Sequence, residues 1–165
     1  MTDAAPFSDL TRSKLAILLQ LSKAAFPLWK RFENARGAAM TEPDVIGAAT
    51  LAFAAIHDAA KAWLETGAVD VAELQAHVDS VDEGAAEAGE NSQTEIGDQA
   101  VAAQVAAVAV QTLAWALGRL AGAQIIGEGT PDPDGGDGMD GVLEMAESEP
   151  EIGHLRDLWR QFAAA

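Results

Sequence analysis

The run QAVAAQVAAVAVQTLAWALG, residues 99–118, decides the fold. It holds no charged side chain, and its larger residues fall at helical spacing. Val101, Val105, Val108, Thr112 and Trp115 make one stripe, while Val110, Leu113, Leu117 and Leu120 make another. A helix that is apolar on most sides is a central one, and its alanines let neighbouring backbones approach closely. A bilayer span needs about 20 strongly apolar residues. Here alanine outweighs leucine, and Gln99, Gln104, Gln111 and Thr112 interrupt the run. The expectation is therefore a long Ala-rich helix inside a bundle, not a membrane span. Ser92 and Glu95 predict where it begins.

Working towards the N-terminus, Leu15, Leu18, Leu19, Ser22, Phe26 and Trp29 form a stripe in a helix expected from about Ser8. Pro27 predicts a kink or a new segment, because proline has no N–H and clashes with the preceding turn. Lys23, Lys30 and Arg31 lie off the stripe, and Gly37 ends the run. Thr41-Glu42-Pro43-Asp44 and Ser148-Glu149-Pro150-Glu151 each place a hydroxyl three residues before a carboxylate, with proline in the first turn. Both read as helix starts. The first opens a helix to about Glu65, stopped by Gly67. Asp70 to Glu73 predicts a cap for a short helix through Leu74 and Val78 to Val81, with Glu83–Glu90 a loop or frayed end. Residues 127–141, rich in Gly and Asp, read as a flexible linker, before a terminal amphipathic helix using Leu155, Leu158, Trp159 and Phe162. The whole, 1–165, is expected to be one all-α domain, a bundle of five to seven helices without internal repeat.

Charge adds a layout. The formal net charge is −16, from 26 acidic and 10 basic residues. Residues 1–66 hold seven of each and are neutral. Residues 67–165 hold nineteen acids against Arg119, Arg156 and Arg160. The acids gather in Asp70–Asp98 and Glu128–Asp157, on either side of the uncharged run. Nucleic-acid binding is not expected, since phosphate must meet Lys or Arg. With no cysteine there is no disulfide, thiolate or zinc–cysteine chemistry. Residues 1–10 lack a basic n-region followed by an apolar h-region, so the expected location is cytoplasmic.

Chemistry-bearing patterns are few. Asp132, Asp134, Asp137, Gly138 and Glu144 fit the spacing of an EF-hand calcium loop once one glycine, Gly135 or Gly136, is removed. The extra residue, Asp140 at a normally apolar position, and Thr130-Pro131 in the incoming helix all count against it. An acidic linker is the simpler reading. His57, His77 and His154 are far apart and form no H-x-x-x-H pair. Glu95 and Asp98 suit the positive end of a helix dipole better than a metal. There is no G-x-S-x-G, G-x-G-x-x-G or Walker loop. Trp29, Trp63, Trp115 and Trp159 each read as core anchors. The residues thus point to no catalytic constellation and no required cofactor, with Ca²⁺ entering only under the 132–144 reading.

Three stretches stand in order: Leu21-Ser-Lys-Ala-Ala-Phe26-Pro-Leu-Trp-Lys-Arg-Phe32, the capped helix ending Ala60-Lys-Ala-Trp63-Leu-Glu-Thr-Gly67, and Pro150-Glu-Ile-Gly-His-Leu-Arg-Asp-Leu158. With the short acidic helix and the Ala-rich helix between them, this order resembles the YjaG-like family of small all-helical bacterial proteins. The resemblance covers 10–125 and, more thinly, 145–162, and carries no catalytic motif. It implies an immunity-type inhibitor that occludes a basic protein or toxin. The acids of 70–98 are the expected docking face, centred on Asp79, Asp82, Glu83 and Glu87, and a homodimer through apolar helices is an open alternative.

Overall fold

The computed structural model describes residues 9–37, 44–91, 93–127 and 137–165. Among the described residues there are six helices and no strand: α1 (Arg12–Arg36), α2 (Val45–Thr66), α3 (Val71–Glu90), α4 (Gly97–Leu120), α5 (Asp137–Met145) and α6 (Ile152–Ala164). They share one apolar core.

The first three helices each start at a side-chain cap. Thr11 accepts from the Lys14 amide at 3.1 Å to open α1. Asp44 accepts from the Gly47 amide at 3.1 Å to open α2, so Asp44 is the cap itself and not the far end of a box. Thr41 lies outside the described residues. Asp70 accepts from the Glu73 amide at 3.1 Å, the expected cap of α3. Gly67 stops α2 in the left-handed region (φ 76°), as its position suggested, where a Cβ would be strained.

Five boundaries differ from expectation. The first helix starts at Arg12 and not near Ser8, and it runs through Pro27 without a break. Pro27 and Lys23, whose carbonyl loses its amide partner, are both exposed to water. Leu21, Ala25, Leu28 and Trp29 pin both sides to the core. The third helix does not end at Val81 but continues to Glu90, with Gly84 and Ala88 buried. The central helix starts at Gly97 with no side-chain cap. Its approach is a pair of backbone turns, Thr94 N to Asn91 O and Gly97 N to Thr94 O. Residues 137–141 of the expected linker belong to α5, because Met139 and Leu143, with Ala146 beyond, bury a stripe. Residues 128–136 lie outside the described set. Ser148 does not cap α6, which begins at Ile152 without a side-chain cap. Instead the carboxylates beside it reach α1: Arg31 lies 2.6 Å from Glu151 and 3.7 Å from Glu149. The Arg31 hydrogen bond holds Glu151 below the usual carboxylate range.

The long Ala-rich helix α4 sits at the centre, touching α1, α2, α3 and α5, most extensively α1. Every residue from Ala109 to Gly118 is buried. By length and composition alone α2 and α4 could each cross a membrane; most of that stretch of α4 is buried inside the bundle, and less than half of that of α2. The four tryptophans are buried, as expected. Trp29 meets Phe53 at 5.0 Å between ring centres, and its indole N–H donates to Thr50 at 2.9 Å. On the other side of α1, Lys14 lies over the Phe162 ring of α6.

Two glycines illustrate the close packing. A Cβ at Gly84 would stand 2.5 Å from the Ala49 Cβ and 3.1 Å from Trp29, and one at Gly118 would stand 2.5 Å from Ile125 Cγ1. Gly84→Ala is therefore expected to lower stability by about 1–3 kcal/mol through overpacking. Gly141→Ala, with nothing within 4 Å of its Cβ, is expected to gain up to about 1 kcal/mol from helix propensity. Thermal melts of the two variants check the pair, and equal effects would refute the α2–α3 contact as the cause.

Candidate functional site

The third helix brings six carboxylates and no Lys or Arg to one side of the bundle. The four acids expected as a docking centre do not act alike. Asp79 is exposed, taking a 3.0 Å hydrogen bond from Gln75, and Glu83 is exposed four residues on. Asp82 instead turns inward and accepts from the buried Gln111 amide of α4. Glu87 is tied to Arg36 of α1 at 3.2 Å. Two of the four thus cement helices together, and two face water.

Beside this face lies a groove of about 430 Å³ between α3, α4 and α5. Its α3 wall is Asp82, Ala85, Ala86 and Gly89, its floor includes Val101, Gln104 and Val108 of α4, and Val142 and Met145 of α5 close it. Gln104 donates to the Ala85 carbonyl at 2.9 Å. Together with Gln111 and Asp82, this satisfies the buried amides and leaves the trough apolar. The segment that follows α4 is also fixed: the Gln75 amide both donates to Ile126 O at 2.7 Å and accepts from Ile126 N at 3.0 Å. That pairing holds 123–127 against α3, where a Cβ on Gly127 would meet Val78 at 2.6 Å. No sequence motif announced the groove; the i, i+3, i+4, i+7 set 82, 85, 86, 89 of small residues was its available signal.

The candidate calcium ligands are placed in part. Asp132 and Asp134 lie outside the described residues. Asp137 opens α5 and Glu144 sits exposed near that helix's end. A loop ligated from 132 to 144 needs non-helical backbone over much of its length, whereas 137–145 is helical. Among the described residues no group of three or more Asp, Glu or His is arranged to hold a metal ion. A second cleft, of about 380 Å³ between α2 and α3, gathers Asp58, Asp70, Glu73 and His77. There His77 lies 3.7 Å from Glu73.

His57 is a core histidine. Its Nε2 is 2.7 Å from the Ser22 hydroxyl, and Phe26 stands edge-on at 5.7 Å. Such a distance suits a nucleophile and its base, but Ser22 is 0% exposed and His57 6%, so neither meets a substrate in this conformation. Burial, and next the nearby Lys23 of α1, push the imidazole down to about 4, against a smaller opposing effect of Asp58. The folded protein thus resists a proton that the unfolded chain accepts below about 6.5. His57's contribution to stability is complete above pH 6.5 and is lost as pH falls to about 4, with a slope of at most about 1.4 kcal/mol per pH unit. Denaturant titrations between pH 7 and 4 should show this slope, reduced in His57→Gln; an unchanged slope in the variant would exclude His57 as its source.

No family model, curated protein or solved structure matches this chain.

Proposed function

We propose that this protein is a non-catalytic interaction module that holds a basic protein partner against the outer side of α3 and blocks it by occlusion, in the manner of an immunity-type inhibitor. The observation that supports this reading is the unbalanced charge of α3, six carboxylates with no base on the helix. Asp79 and Glu83, both exposed, stand at i, i+4, a spacing at which like charges cost a helix a few tenths of a kcal/mol. A cationic partner relieves that repulsion. The surrounding field would also steer a basic partner and speed encounter, an effect screened beyond about 8 Å at physiological ionic strength. Because Asp82 and Glu87 hold helices together, the docking set contracts to Asp79 and Glu83, with Asp82 and Glu87 as its scaffold.

The experiment is capture of partners from native lysate on the immobilised protein at low and high salt. Wild type is expected to retain one basic protein at low salt and release it at high salt. The double variant Asp79→Lys/Glu83→Lys, with an unchanged melting curve, is expected to retain at least tenfold less. Undiminished capture by that variant would overturn the reading.

A further inference from the structure

We infer that the groove between α3, α4 and α5 receives the apolar side of a basic amphipathic helix presented by the partner. This inference rests on the acidic-face reading and adds to it the shape of what docks. The groove runs along α4 from Ala100 to Gln111, about 16 Å at the rise of an α-helix. That is about three turns, the reach over which a docked helix places anchors at i, i+3, i+4 and i+7. Its walls are small and apolar, and the amides of Gln104 and Gln111 are already bonded within the bundle, so the trough itself offers little to a polar ligand.

The charge beside it selects the partner. Asp79, Glu83 and Glu90 are exposed on α3. At spacings of four and seven residues they run alongside the groove-lining Asp82, Ala86 and Gly89. They continue along the helix for about the same 16 Å. Neither α3 nor α5 carries a Lys or Arg, and α4 carries none before Arg119. A second copy of this chain would bring the same negative charge to the same place, which opposes self-association there. A small cation would meet one or two of these acids, whereas a helix lying in the groove reaches all of them. Met145, 65% exposed at the lip, is a flexible side chain of the type that adapts to helical ligands.

The test uses the full chain and a fluorescein-labelled peptide of about 18 residues, leucines at i, i+3, i+4, i+7 and lysines elsewhere. Its counterpart carries Gln at every Lys. Anisotropy titrations should give saturable binding of the Lys peptide, at least tenfold tighter than the Gln peptide at low salt. Ala86→Trp, which fills the groove from an exposed position, should weaken binding at least tenfold, and Met145→Ala severalfold. Leu51→Trp, on the exposed side of α2, should leave it unchanged. If the Lys peptide does not bind, or Ala86→Trp leaves its affinity intact, the groove is not the docking site. If Ala86→Trp leaves affinity intact while Asp79→Lys/Glu83→Lys abolishes it, only the groove assignment fails and the acidic face stands. If Ala86→Trp abolishes binding while the charge reversal and the Gln peptide change nothing, the acidic-face reading fails instead. Tetramethylammonium competing at concentrations too low to screen charge would mark a small-cation site. A concentration-dependent dimer abolished by Ala86→Trp would assign the groove to a second copy. Either result overturns the inference.

Discussion

Close approach of backbones around α4 is the constraint on which the rest of the structure depends. Small residues, not large ones, set the distances. Gly118 admits Ile125 and Gly84 admits Ala49 and Trp29, while Ala100, Ala103, Ala106, Ala107, Ala109 and Ala114 let α4 be enclosed by several neighbours at once. A core of this kind gains little area from each residue and relies on the number of contacts at near-ideal separation. It also carries few voids to absorb added volume. The aromatic cluster of Phe26, Trp29, Phe53 and Phe32 fills the space that the alanines leave between α1 and α2.

Several polar side chains inside this packing pair across helices. Ser22 faces His57, Gln111 faces Asp82, and Trp29 reaches Thr50, which in turn meets Glu33. Each pair joins two helices, so the hydrogen bonds fix rotation about the helix axes where smooth alanine faces would not. Glu87 and Arg36 do the same at the surface. The negative charge of α3 thus has two physical roles, one cohesive and one outward-facing, and the difference is which way each carboxylate turns.

Periodicity made the all-helical architecture and the central helix legible in the sequence, because valine, leucine and tryptophan recur at 3.6-residue spacing over 99–118. Caps that act within four residues, at Asp70 and Gly67, were legible for the same reason. The far end of α3 was not, since Gly84, Ala85 and Ala88 have no bulk to mark a stripe, and Gly84 and Ala85 meet Ala49 and Gln104 from other helices. The helix of α5 hid inside a Gly/Asp composition typical of linkers, although Met139, Leu143 and Ala146 were spaced to bury one side. Within the candidate site the acids could be read from the sequence, but not their division of labour. The partner of Asp82 is 29 residues away and that of Glu87 is 51, separations over which local rules carry no information.

The pairing of α1 with α6 has a consequence in time. Arg31 and Glu151 are 120 residues apart, and the apolar side of α1 is completed only when Leu155, Leu158 and Phe162 arrive. During synthesis at about 5–20 residues per second, α1 therefore waits several seconds with one flank uncovered. The acidic segments made in that interval carry like charge, which opposes association between copies while that flank is open.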